Sequence, residues 1–172
     1  MKAIVACDPR GGIGYQNKLP WNKLEGDLPR FKELTTDGIV IMGRNTWDSL
    51  PRKPLANRTN VVATSSTLMS TIENSFGNYS ATREEYLFAA RYPNTFSITN
   101  PEIFKHDDNA WVIGGAKLIN SMWPLIDTVH LSRTYTEYHC DAFIDLTLLE
   151  KEFALESTES NTDHSYEIWK RK

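Results

Sequence analysis

Hydrophobic positions along this chain follow two rhythms. Short β-branched runs at residues 3–6, 39–42, 60–63, 111–113 and 128–131 are separated by turn residues, and each predicts a buried strand. Between them apolar residues recur at helical spacing: Leu24, Leu28, Phe31 and Leu34, then Tyr86, Phe88 and Ala89, then Leu118, Ile119 and Met122. Parallel strands need a long crossover to join them, and helices supply it. The alternation therefore predicts an α/β fold, a mostly parallel central β-sheet flanked by helices, with residues 1–172 forming one domain.

The carboxyl end breaks the alternation. Phe153-Ala154-Leu155 and Tyr166-Glu167-Ile168-Trp169 flank a stretch from 157 to 165 rich in Ser, Thr, Asn and Asp, which predicts an antiparallel hairpin added at the sheet edge. Residues 65–109 are the least regular part, with Ser, Asn and Gly clusters around one helix predicted near 82–91. Neither repeats nor a linker divide the chain.

Composition narrows the function classes. A net charge of −3 and a pI near 5.8 lack the basic excess that binding a phosphate backbone requires, so no nucleic-acid partner is expected. Cys7 and Cys140 form no CxxC pair and no Cys/His cluster at ligand spacing, so no metal is expected, and both read as reduced thiols in a cytoplasmic protein. No run approaches the roughly 20 apolar residues of a membrane span, and no membrane partner is expected.

Four places could carry chemistry. Gly43-Arg44-Asn45-Thr46 follows a strand and opens a helix, which points backbone N–H groups and a guanidinium toward an anion; it also fits a plain turn with a solvated Arg. Ile113-Gly114-Gly115-Ala116-Lys117 repeats the arrangement, and two such turns in one small fold favour a phosphorylated cofactor. Asp27 lies beside the apolar helical face of Leu24, Leu28 and Phe31. It is either a helix cap, with Pro29 in the first turn, or a buried carboxylate that a hydrogen-bonding ligand must meet. Arg58, after Pro54-Leu55-Ala56-Asn57, could present its planar fork to a substrate carboxylate, or could be solvated. The four histidines have no nucleophile motif beside them, so a Ser/His/Asp hydrolase gains no support.

Taken in order, Ile13-Gly14, Leu19-Pro20-Trp21, Asp27-Leu28, Phe31-Lys32, Ile41-Met42-Gly43-Arg44-Asn45-Thr46-Trp47, Ser49-Leu50-Pro51, Arg58 and Ile113-Gly114-Gly115 resemble the dihydrofolate reductases. The resemblance covers residues 2–64 and 111–145. It implies reduction of dihydrofolate to tetrahydrofolate with NADPH, serving one-carbon metabolism and thymidylate synthesis, in a monomer that antifolates bind. Asp27, Trp21 and Leu19 would form the catalytic group, Asp27 hydrogen-bonding the pteridine and Trp21 holding an ordered water. Ile4, Val5, Leu28, Phe31, Leu50, Leu55, Arg58, Ile113 and Ser132 would line the substrate, with Arg58 on its α-carboxylate and Ser132 in place of the usual threonine supporting the acid. Ala6, Ile13, Gly14, Gly43, Arg44, Asn45, Thr46, Thr64, Ser65, Gly114, Gly115, Ala116 and Lys117 would hold the cofactor. Within that set Arg44, Ser65 and Lys117 surround the 2′-phosphate, and the Gly114-Gly115 peptide is expected to be cis. Residues 11–21 resemble the loop that closes over the nicotinamide.

Besides Ser132, the chain departs from the pattern elsewhere, and its segment 67–109 is longer than compact family members need. One extra residue lies between Trp21 and Asp27, Pro29 stands in the first turn of the helix, Ile119 replaces a common tyrosine, and Ala142 replaces a common threonine. Two other functions compete: a related pyrimidine reductase of riboflavin synthesis, against which Trp21, Asp27 and Arg58 argue together, and a non-catalytic nucleotide-binding or structural module of the same fold.

Overall fold

The computed structural model describes residues 1–64, 92, 94–98 and 100–172. Among them, ten strands and four α-helices follow one another: β1 (Lys2–Cys7), β2 (Gly12–Gly14), α1 (Asp27–Thr35), β3 (Ile39–Gly43), α2 (Arg44–Ser49), β4 (Thr59–Ala63), β5 (Thr95–Ile98), β6 (Ala110–Gly114), α3 (Ala116–Met122), β7 (Thr128–Thr134), β8 (Ala142–Phe143), α4 (Leu146–Glu152), β9 (Phe153–Ser160) and β10 (His164–Arg171). Eight strands form one sheet in the order β5-β4-β3-β6-β1-β7-β10-β9, and β2 pairs separately with β8. From β5 to β7 every pairing is parallel; β10 runs antiparallel to β7 and β9 antiparallel to β10. The predicted architecture is this one.

Strand alternation sorts side chains onto two faces. One face carries Ala3, Ile41, Val61, Val112, Val129 and Leu131 into the larger core, closed by Ile119, Trp123, Leu149 and Phe153. The other carries Val40, Met42 and Val62 with Trp47, and Leu50, Leu55 and Ile113 are only partly buried against them. Parallel register places Ile4 beside His130 and Ala6 beside Ser132 on this second face. The β1–β6 ladder stops at the Ala3–Val112 pair while the β1–β7 ladder continues to Cys7–Arg133, so β1 and β6 part toward their carboxyl ends. Open α/β sheets bind ligands in a crevice of this kind.

Three expectations need correction. The polar stretch at 157–165 is mostly strand, leaving a connection of residues 161–163; β9 is an edge strand exposed along nearly its whole length, where Ser, Thr and Glu incur no burial cost. Leu24 is buried but precedes α1, because Gly26 at φ 80° turns the chain before the helix begins at Asp27. The strand at Thr95–Ile98 went unread: four residues between Asn94 and Asn100 give too few alternations to register. The helix predicted near 82–91, with Tyr86, Phe88 and Ala89, lies outside the described residues.

Candidate active site

The site grows from α1. Its N-cap, Gly26, has no side chain to offer, and Asp27 is already helical, so the Asp27 carboxylate does not cap the helix. That carboxylate reaches the sheet instead: the Ser132 hydroxyl donates to Asp27 Oδ1 at 2.6 Å, a short bond of the charge-assisted kind. Ser132 is buried on β7 and Asp27 is half-buried. An acid is thus fixed over the face that carries Ile4, Ala6 and Ile113.

Arg58 closes one end. It is 9% exposed, donating from Nε to the Ala56 carbonyl at 2.9 Å and from a terminal nitrogen to Thr35 Oγ1 at 3.0 Å. Its guanidinium carbon lies 5.6 Å from the Phe31 ring centroid. No acidic side chain among the described residues pairs with it. Burial pulls its pKa below the ordinary value, the usual cost of holding a cation away from water. Asn60 shapes the loop: its side chain bonds the Leu55 N–H and carbonyl at 2.9 Å each and the Arg58 carbonyl at 3.0 Å.

At the other end, Gly43–Thr46 and Gly114–Lys117 meet. The Gly114-Gly115 peptide is cis, as expected. A Cβ placed on either glycine would lie 3.2 Å from Thr46 Oγ1, so the turn is bare backbone against one hydroxyl. Arg44 is half exposed and its Nε contacts both Asp48 carboxylate oxygens at 2.9–3.0 Å. Lys117 and Asn45 are exposed, Ala116 is half-buried, and the Thr64 N–H donates to the Ile98 carbonyl at the end of β4. Ser65 lies outside the described residues.

The remaining predicted residues divide. Trp21 is 6% exposed and meets the Tyr138 ring edge-on at 5.6 Å. Leu19 and Leu28 are exposed at 58% and 61%, and Leu28 follows the acid directly in α1. Val5 points to the opposite face and packs against the larger core, because neighbours along a strand alternate; only its main chain is left for the crevice. Ile13 also packs against that core, while Gly14 belongs to β2. Ile119 is fully buried and Ala142 sits opposite Gly14 in the β2–β8 pair.

Sequence reasoning missed Thr35, Asn60, Tyr138 and Asp8. A hydroxyl one turn from Phe31 and an Asn two residues after Arg58 were the available signals, but hydroxyls and amides at such spacing are common.

A family model described as dihydrofolate reductase matches residues 1–170. The chain belongs to the dihydrofolate reductase family. The type 8 dihydrofolate reductase of Escherichia coli is 32% identical over 173 residues, spanning 100% of this chain and 96% of the relative. The dihydrofolate reductase of Pneumocystis carinii is 30% identical over 203 residues, spanning 98% and 95%. Among solved structures, a dihydrofolate reductase from Enterococcus faecalis complexed with NADP(H) and RAB-propyl superposes with a TM-score of 0.71 and 26% identity over 99% of this chain and 95% of that one. Within the dihydrofolate reductase fold, Asp27 is bonded to Ser132 of β7, whose partner across the sheet is Ala6 of β1, and the Gly114–Gly115 turn follows at the carboxyl end of β6.

Proposed function

We propose that this chain reduces dihydrofolate with NADPH, and the observation that carries the reading is the Ser132–Asp27 bond at the crevice. A half-buried carboxylate held by one hydroxyl keeps lone pairs for a ring that presents two donors side by side, as a pteridine does. Arg58, buried and without an acidic partner among the described residues, supplies the planar fork for the α-carboxylate. Phe31, Leu28, Leu50, Leu55, Ile4 and Ile113 provide the apolar walls between these two charges, joined by the Val5 main chain.

The cofactor fits the bare Gly114-Gly115 turn, where a side chain would collide with Thr46 and a pyrophosphate can approach the backbone. Gly43, Arg44, Asn45, Thr64, Ser65, Ala116 and Lys117 would complete the phosphate and adenosine contacts, with Ala6, Ile13 and Gly14 beside the nicotinamide. When bound, NADPH supplies the hydride. Asp27 orients the ring and raises the proton affinity of the nitrogen beside the imine carbon, Trp21 with Leu19 limits water to an ordered molecule that delivers the proton, and positioning provides most of the acceleration. We further read the chain as a single-domain cytoplasmic monomer whose crevice also takes antifolates.

The test follows NADPH absorbance after dihydrofolate is added to purified protein, with NADH as alternative donor. Asp27→Asn should slow turnover by about 10² to 10⁴ while leaving NADPH binding intact, the range expected for loss of a positioned acid–base group. A folded parent protein that binds NADPH yet oxidises none of it would overturn the reading.

A further inference from the structure

Asp8 follows β1 and is fully buried, yet it has no place in the chemistry above. Its carboxylate collects four donors. Oδ1 accepts the N–H of Gly12 at 2.8 Å and of Arg10 at 2.9 Å; Oδ2 accepts the N–H of Tyr138 at 3.1 Å and the Arg10 guanidinium at 3.3 Å. The same guanidinium donates to the Tyr138 carbonyl and lies 3.5 Å from Glu137. Burial works to raise the Asp8 pKa, but the Tyr138, Gly12 and Arg10 hydrogen bonds outweigh it and hold the group below its ordinary value. It is a charged knot, and a costly one unless all its donors stay in place.

The knot joins two segments that meet the proposed reaction from different sides. Gly12 begins β2, whose next residues, Ile13 and Gly14, border the nicotinamide in the reading above. Tyr138 belongs to the segment between β7 and β8, and its ring packs edge-on against Trp21 at 5.6 Å. The two segments touch again through the Asp141 N–H on the Gly14 carbonyl and the Gln16 N–H on Asp141 Oδ2, both at 2.9 Å. The Gln16–Asp141 contact is exposed, whereas Asp8 is a fully buried point from which both segments hang, beside the packing of Cys140 on Gly12.

We infer that Asp8 is a positioning residue for hydride transfer: it sets β2 and, through the Tyr138 main chain, the Trp21 indole in one arrangement over the reacting rings. This rests on the reductase reading. Asp27, Ser132 and Arg58 hold the substrate without contacting the knot, so disturbing Asp8 should alter the transfer step and spare dihydrofolate affinity.

Asp8→Asn is the discriminating variant. Its remaining carbonyl oxygen can still take the Gly12 and Arg10 N–H groups, but an amide nitrogen faces the Tyr138 N–H and cannot accept it. In single-turnover measurements on the folded holoenzyme, we expect hydride transfer to slow about tenfold with a full deuterium isotope effect, the dissociation constant for dihydrofolate staying within twofold. Glu137→Gln, which touches only the outer side of Arg10, should leave the rate unchanged. Separately from activity, Asp8→Asn should shift tryptophan emission, and the shift should vanish when Trp21→Phe is the common background. A transfer rate within twofold of the parent, or a loss explained by lowered melting temperature alone, would refute the inference. So would an emission change that persists without Trp21. If the parent protein itself fails to reduce dihydrofolate, the reductase reading falls, and the emission comparison still decides whether Asp8 couples to Trp21.

Discussion

The Ser132 hydroxyl donates to Asp27 Oδ1 at 2.6 Å, joining the first residue of α1 to the middle of β7 across 105 positions of sequence. The bond does two things: it satisfies the buried hydroxyl and it engages one carboxylate oxygen, Oδ1. A hydrogen bond to a charged group contributes about 1.5–3 kcal/mol. Ser132→Ala should therefore lower kcat/KM for dihydrofolate by roughly tenfold or more, with NADPH affinity unchanged, and Ser132→Thr, which keeps the hydroxyl, should restore most of it. Steady-state kinetics on the two variants checks this.

Arg58 is held by Ala56 and Thr35, so its fork is oriented before any substrate arrives. Arg58→Leu should raise the KM for dihydrofolate by about 30- to 100-fold, the equivalent of losing a paired, partly desolvated ion contact, with a much smaller effect on kcat. A pteridine lacking the glutamate should bind the parent and the variant equally, which fluorescence titration can measure.

Gly114 has φ 141°, and a Cβ there would sit 3.2 Å from the Thr46 hydroxyl. Gly114→Ala should cost about 1–3 kcal/mol of stability from backbone conformation alone and should weaken NADPH more than dihydrofolate. Thermal melting and titration with each ligand separate the two effects.

His130 is neutral over most of the pH range. Burial, followed by Lys2 and Lys170, lowers its pKa from 6.5 to about 4, and its Nδ1 shares a 2.5 Å hydrogen bond with the Tyr166 hydroxyl. The unfolded chain binds this proton more readily than the folded one, so the stability from a neutral His130 is complete above pH 6.5 and declines as pH falls toward 4. The melting temperature of His130→Gln should fall less steeply over that interval than that of the parent.

Much of this was legible in the chain. The runs at 39–42, 60–63 and 128–131 are β-branched and flanked by turns, and they are buried strands. Gly114-Gly115 announced a close backbone approach, and the structure shows bare backbone against Thr46. Asp27 was ambiguous because Pro29 makes a helix start plausible there, and a cap and a pocket acid look alike in one dimension. Gly26 in the N-cap position excludes the cap, and the bond from Ser132 shows where the carboxylate goes instead; neither is informative without coordinates.

Local chemistry determined the elements: periodicity chose strand or helix, and glycine and proline marked where each stopped. The amino-acid order also carried the family motifs from Leu19 to Thr46. What the tertiary structure alone decided was which distant groups share a face and which are buried together. Strand order set Ser132 under Asp27, parity turned Val5 away from the crevice, and the packing of two loops buried Asp8 among the Gly12, Arg10 and Tyr138 donors. Burial and hydrogen-bond partnership depend on what the rest of the chain brings near, and residues more than a hundred positions apart leave no periodic trace of their meeting.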